Sequence, residues 1–428
     1  MITMKRVCII LFILLPAYLT GQTDFSEWFH EKSLRVDFYL AGNNQEVRVY
    51  PAGMKEEPFW GGTFTKLVDP FDYGNIKYEV FDPQSGKLLF SRGYSTLFQE
   101  WQTTAEAKKL EKAFFESARF PFPKQTVKFV LSKRERDGNF SSIYETIIDP
   151  ADYFIIREKS ADVSVTLIHG SGDHRRNVDI AFLAEGYTAA EMEKFRNDVR
   201  KMAGVLFAEP PYDLYRDRIN IWAVEAVSAE SGTDVPGEGI YVSTALNSSF
   251  YTFDLDRYLT TQDLKKVYDY AGAAPWDNIV VLINSSRYGG GGMYNYYSGT
   301  TVDHALSPKV FVHELGHGFA GLGDEYYSSE VAYEEFYPLH VEPWEPNITT
   351  LVNFAAKWKD LIAEGTPVPT PNESTYRAIT GLFEGGGYMV KGIYRPAYDC
   401  RMKSNGPDGF CEVCQRAIAA MIEFYLEK

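Results

Sequence analysis

His313 and His317 stand four residues apart, with Glu314 directly after the first, inside the run Ser307–Tyr326, SPKVFVHELGHGFAGLGDEY. On a helix that spacing projects both imidazoles from one face, where they can bind a single metal ion. Glu314 then lies where a carboxylate can take a proton from metal-bound water. Asp324 and Glu325 follow a glycine-rich stretch and bring oxygen ligands to the open side of the two histidines. The chemistry these residue types support is metal-assisted hydrolysis.

The element that must position them reads as a helix with a start and a stop. Ser307 is placed to cap it, and Pro308 suits the first helical position, where no backbone N–H is needed. Val310, Phe311 and Leu315 are apolar anchors at helical spacing. Gly318, Gly321 and Gly323 break the helix and let the chain reverse. A chance H-E-x-x-H need not sit on an amphipathic segment followed by glycines and acids, so two idle histidines are the weaker reading.

Residues 1–21 read as a secretory signal, with Lys5 and Arg6 as the positive start, Val7 to Leu15 as the apolar core and Thr20-Gly21 as the cleavage site. The apolar run is short for a membrane span, and no later stretch approaches that length. The expectation is an exported protein, secreted, periplasmic or at the cell surface, with no integral membrane span. The formal net charge of −15 becomes more negative once Lys5 and Arg6 leave with the signal. That acidity argues against nucleic acid or an anionic membrane as partner. Hydrophobic residues at 45% and aromatics at 15% are ample for a packed core, so the acidity does not signal disorder.

Between about Ser33 and Thr166 the pattern is strand-like. Leu34–Leu40 and Glu46–Tyr50 alternate, and Ile76–Phe81, Thr126–Leu131, Tyr144–Ile148 and Val163–Ile168 are further candidates. One helix is expected near Ala105–Phe115. Short strands at this spacing predict a sandwich-like β domain over residues 22–168, without a catalytic constellation.

Past Ser171–Asp173 the pattern changes to strands alternating with helices, which predicts an α/β arrangement over residues 175–428. Val178–Leu183, Arg218–Val227 and Asn278–Ile283 are the strands. Thr188 and Glu191 form a capping box for a helix reaching Leu206, and Leu264–Ala271 is a second helix. Four glycines between Tyr288 and Met293 read either as a flexible loop or as an edge where an extended substrate pairs. His304 reads as a structural histidine or as one that supports the metal ligands. Asn353–Glu364 is expected to be a surface helix, and Glu412–Leu426 a second, amphipathic one. Cys400 pairing with Cys411 or Cys414 is favoured over a second metal site, because no second Cys-x-x-Cys completes a four-sulfur set.

His313-Glu314-x-x-His317, the glycine turn, Asp324 and Met402 in a Cys-Arg-Met turn look like a metzincin-type zinc peptidase. More closely, the chain resembles the bacterial IgA-type zinc metallopeptidase family. The matching segments are Phe182–Thr188, Glu230–Gly232, His313–Tyr326, and Tyr394–Pro396 through Met402. The resemblance implies an α/β zincin (metzincin-like) catalytic domain preceded by an all-β, sandwich-like N-terminal domain. It implies Zn2+ held by His313, His317 and Asp324, Glu314 as general base, and Met402 as an apolar floor. The turn is one residue longer than common metzincin spacing, and glycine and acid shift together, which favours Asp324 over Glu325. Glu334 or Glu335 would serve in a thermolysin-like arrangement. Tyr394 and Tyr398 are candidate phenols for holding the oxyanion. The implied function is a secreted zinc endopeptidase acting on protein or peptide. The alternative is a catalytically silent surface protein that binds glycan or protein through its β domain; an intact Glu314 and both histidines favour the enzyme.

Overall fold

The computed structural model describes residues 23–158, 162–327 and 336–426. The signal read at residues 1–21, and Glu334 and Glu335, lie outside the described residues.

After a single turn of helix, α1 (Phe25–Trp28), the N-terminal region is all β apart from α2 (Leu97–Gln102). Its strands are β1 (Phe29–Gly42), β2 (Val47–Glu57), β3 (Ile76–Phe81), β4 (Leu88–Tyr94), β5 (Lys112–Pro123), β6 (Val127–Arg134), β7 (Phe140–Ile148) and β8 (Ile155–Ile156). They form two four-stranded sheets, ordered β5-β1-β2-β8 and β4-β3-β6-β7. Period-two alternation does the work expected of it. Ile76, Tyr78 and Val80 of β3 all face inward. The sheets meet through aromatic contacts, with the Phe120 and Phe129 rings 6.0 Å apart and the Tyr78 hydroxyl donating to the Arg119 carbonyl at 2.7 Å.

The helix expected at Ala105–Phe115 is not there. The helix lies earlier, as α2, where the Thr96 hydroxyl caps it by accepting from the Gln99 N–H at 3.1 Å. From Lys112 the chain is strand, because β5 gains a full antiparallel ladder with β1 that outweighs the helix preference of Ala, Glu and Lys.

The second region continues with β9 (Val165–His169), β10 (Val178–Glu185), α3 (Met192–Leu206), β11 (Ile219–Val224), α4 (Leu264–Ala271), β12 (Asn278–Ile283), β13 (Gly290–Met293), β14 (Tyr297–Thr301) and α5 (Ser307–Ala320). A hairpin, β15 (Phe383–Gly386) with β16 (Met389–Arg395), and α6 (Glu412–Leu426) complete it. Six strands make one mixed sheet in the order β13-β14-β12-β10-β11-β9. Its four central strands are parallel, and β13 and β9 run antiparallel at the edges. Val163–Ile168, read above as the last strand of the β region, therefore belongs here as β9. Asn353–Glu364 forms two short 3-10 turns rather than a surface helix, because Trp358 is fully buried and donates to the Gly381 carbonyl at 2.8 Å.

Strand β10 is buried at every position, as a parallel strand covered on both faces must be. Ile180 and Phe182 enter a core with α3, α5 and α6. Ala181 and Leu183 enter another, shared with α4 and both N-terminal sheets. The β region thus packs on the α4 side of the mixed sheet.

That junction also carries buried charge. The Arg35 guanidinium, 1% exposed, meets Asp37 of its own strand at 3.0 Å, Glu57 at 3.3 Å and Asp269 of α4 at 2.8 Å. Lys55 reaches the same Asp269 oxygen at 2.9 Å. Nearby, Arg119 lies 3.9 Å over the Trp276 ring and donates to its carbonyl at 3.0 Å. Removing one member of such a set leaves uncompensated buried charge. Arg35→Ala is expected to cost about 3–5 kcal/mol, read from the shift in a denaturant unfolding curve. A change under about 1 kcal/mol would mean that water reaches the remaining carboxylates.

Candidate metal centre

Helix α5 carries the histidine pair on a tightly docked scaffold. It begins at Ser307, with Leu306 before it, and the Ser307 hydroxyl lies 3.2 Å from that of Thr301 instead of capping the helix. Pro308 sits in the first turn as expected. His304 is structural: its Nδ1 accepts from the Leu306 N–H at 3.1 Å. Val310, Phe311, Leu315 and Phe319 are buried, each contributing about 1.5–3 kcal/mol.

Two glycines inside α5 each cost about 1 kcal/mol of helix propensity relative to alanine. Close packing explains both. A Cβ on Gly316 would come within 2.8 Å of the Met402 sulfur, and one on Gly318 within 2.1 Å of the Ser298 hydroxyl. Gly318 therefore does not break the helix. Gly321 does, at φ 65°, with its N–H returning to the His317 carbonyl at 3.0 Å.

The glycine run before α5 is an ordered edge strand, β13. A Cβ on Gly292 would lie 2.4 Å from the Glu314 carbonyl, so the missing side chains let α5 rest on the sheet. At Gly290 the outward main chain already bonds Arg257 and Leu259.

Beyond Gly321 the chain is pinned by Asn347, which accepts from the Gly323 N–H at 2.7 Å and donates to its carbonyl at 2.8 Å. Asp324 arrives opposite the histidines. His313 Nε2 and His317 Nε2 are 3.1 Å apart, and Asp324 Oδ1 lies 3.2 Å from the first and 3.3 Å from the second. Each Nδ1 faces a backbone carbonyl, that of Arg401 at 2.9 Å and that of Leu322 at 2.6 Å. Those contacts place the proton of each neutral ring on Nδ1 and turn a bare lone pair inward from Nε2. Asp324 Oδ1 is buried without a hydrogen-bond partner. Two lone pairs and an anionic oxygen this close require a cation between them. A tetrahedral ion with bonds of about 2.0–2.1 Å spaces its ligands by about 3.3 Å, so these residues fit a divalent metal.

In the metal-free protein the proton is the competing cation. Burial pushes His317 down, but the Asp324 carboxylate outweighs it and leaves the imidazole at about 9. For Asp324, burial pushes the carboxyl up, and His317 and His313 overcome that to hold it well below the usual range. Glu314, its charged form disfavoured by burial, is raised.

A cavity of about 430 Å³ opens onto His313, Glu314, His317 and Asp324. Tyr326 and Tyr388 face into it, and Tyr388 donates to Asp324 Oδ2 at 2.6 Å. Tyr394 and Tyr398, the phenols expected from sequence, are not among the lining residues. Tyr394 packs beside Trp358, and Tyr398 meets the Phe383 ring edge-to-face. Tyr388 was findable only as the tyrosine following the triple glycine, whose hairpin folds it back towards Asp324. The wall also includes Asn75, Ser95 and Glu100 from the β region, for which the sequence held no chemical signal.

Glu325 points away from this cavity. Its carboxylate accepts from Asn347 Nδ2 at 3.0 Å and meets the Cys414 sulfur at 3.3 Å. Cys400, Cys411 and Cys414 are thiols, not the disulfide expected, and the Cys400 and Cys414 sulfurs are 3.8 Å apart.

Residues 166–379 and 372–422 match the family described as IgA Peptidase M64, and residues 24–145 match the Peptidase M64 N-terminus. The chain belongs to the IgA peptidase M64 family. No curated protein matches it significantly. Membership of M64 makes it a metallopeptidase acting on protein or peptide substrates. It also accounts for the all-β region in front, which the M64 N-terminal match covers almost to the end of β7. Among the described residues, no helix is long and apolar enough to cross a membrane.

Two measurements probe the centre. Metal must displace protons from the histidines, so affinity should rise with pH up to about 9 and then level off. Titration calorimetry in buffers of different ionisation heat reads the released protons; a pH-independent affinity would contradict the arrangement. Tyr388→Phe removes only the hydrogen bond to Asp324 and should weaken metal binding about 10–100-fold in a chelator competition.

Proposed function

We propose that this M64 peptidase is an exported, zinc-dependent endopeptidase with a metzincin-like catalytic domain, in which Glu314 is the general base. The convergence of His313 Nε2, His317 Nε2 and Asp324 Oδ1 beside a half-buried Glu314 carries this reading. Two imidazoles and one carboxylate suit zinc with an open position, and zinc bound there supplies Lewis acidity and acidifies a water ligand.

The chain's own groups do the rest. His313 and His317 are locked by the Arg401 and Leu322 carbonyls, and Asp324 by the Tyr388 phenol, so the donors do not reorient during turnover. Burial raises the Glu314 carboxyl towards the operating pH, where it takes a proton from the attacking water and returns it to the departing amine. Tyr326 replaces Tyr394 and Tyr398 as the phenol placed to hold a developing oxyanion. Met402 supports α5 from beneath, opposite Gly316. The metzincin-like reading rests on this Met402 turn together with the edge strand β13 beside α5.

The β region and the peptidase region are proposed as two domains, with β9 in the second. Asn75, Ser95 and Glu100 make the first domain part of the substrate cleft. The export reading rests on Lys5, Arg6 and the apolar run after them.

Glu314→Gln preserves size and removes the base. It should retain the metal and the fold while peptide cleavage falls roughly 10²–10⁴-fold. Chelator-sensitive cleavage at the parental rate in that variant would assign proton transfer to another group, and no chelator-sensitive cleavage in either protein would favour a silent binding protein.

A further inference from the structure

Asp324 and Glu325 are consecutive, and they face different clusters. Asp324 joins the histidines; Glu325 enters a second set of donors made with Cys400, Cys411 and Cys414. One ligand atom from each of these four lies within 4.8 Å of all the others. Three parts of the chain meet there: the segment after α5, the Cys400–Met402 turn, and the start of α6, where Cys411 and Cys414 form the Cys-x-x-Cys pair.

The spacing is that of a coordination shell. A tetrahedral zinc with Zn–S bonds of about 2.3 Å sets its sulfurs about 3.8 Å apart, and a carboxylate oxygen about 3.5 Å from a sulfur. The Cys400 and Cys414 sulfurs are 3.8 Å apart, and Cys414 lies 3.3 Å from Glu325 Oε1. A disulfide would need about 2.05 Å between two of the sulfurs. It would also leave one thiol and the carboxylate stranded. Glu325 is fully buried, and its Oε2 has no hydrogen-bond partner, which is costly for an anion unless a cation faces it. The Cys411 N–H donates to the Cys400 sulfur at 3.2 Å, the kind of contact that stabilises a metal-bound thiolate. Arg395, also fully buried, adds a positive field at Glu325.

We propose that Cys400, Cys411, Cys414 and Glu325 form a second, structural metal site for a thiophilic divalent cation, zinc in the first instance. Four protein donors close the shell, so no position is left for substrate. Binding forms three metal–sulfur bonds and one metal–oxygen bond and releases to solvent the protons carried by the thiols and the buried Glu325 carboxyl, without oxidation or reduction. The site staples the cleft from behind. The Glu325 N–H donates to the Met402 carbonyl at 2.9 Å, and Cys400 lies two residues before Met402. An ion there holds the Met402 turn, Asp324 and the start of α6 in one register.

The proposal stands independently of the peptidase mechanism and is tested by metal content. Untagged protein, purified under reducing conditions in zinc-containing buffer, should carry two zinc ions per chain by native mass spectrometry. His317→Ala should retain one. Replacing that ion with cobalt should produce the intense thiolate-to-cobalt charge-transfer absorption that histidine and carboxylate ligands do not give. Cys411→Ser should lose the second zinc and the charge-transfer band; because this variant could misfold, the His317→Ala protein is the decisive one. One zinc in the parent and none in His317→Ala would overturn the proposal, whether the cysteines are then found as thiols or as a disulfide.

Discussion

The metal helix lies closer to its surroundings than ordinary side chains would permit, and the site depends on that closeness. Gly290 and Gly292 remove side chains from the strand beneath α5, while Gly316 and Gly318 remove them from the helix itself. The helix spends about 1 kcal/mol of propensity at each of its two internal glycines. In exchange, the Ser298 hydroxyl reaches the Glu314 carbonyl at 3.0 Å and Asn278 reaches that of Gly318 at 3.0 Å. A helix fixed this firmly can hold two imidazole lone pairs 3.1 Å apart, an arrangement that is repulsive until a cation enters. Preorganisation of this kind removes the reorganisation cost at the moment of binding.

The β region is bound into the same architecture through charge as well as packing. Arg35 and Lys55 converge on Asp269 of α4, and Arg119 packs over Trp276 just before β12. These contacts fix the β region against the sheet face opposite α5, so Asn75 and Glu100 can reach round to the cleft with little play. Trp344 donates to Asn75 at 3.1 Å and closes that wall from the peptidase side.

How much of this could be read in advance follows from how local each signal is. The pair His313 and His317 needs only the helical repeat, and the strands Ile76–Phe81 and Asn278–Ile283 and the helices Leu264–Ala271 and Glu412–Leu426 were legible to the residue from patterns equally local. Lys112–Pro123 was not, because its strand state is decided by pairing with β1, some seventy residues earlier in the chain. For a related reason Tyr388 was missed, and Glu325 was read only as an oxygen ligand beside the histidines. Their roles come from a hairpin and a turn that bring distant segments together, and neither carries a spacing rule. The three cysteines were visible, but their fourth partner came from a different stretch, which left a disulfide as the simpler reading.

One feature of the cleft bears on how such a protein can change over generations. The candidate metal residues sit on α5 and the turn after it, whereas Asn75, Ser95 and Glu100 of the wall belong to the N-terminal β region. Mutational drift there can reshape what the cleft admits while leaving the reaction machinery intact, so lineages carrying this architecture are free to diversify their targets faster than their chemistry.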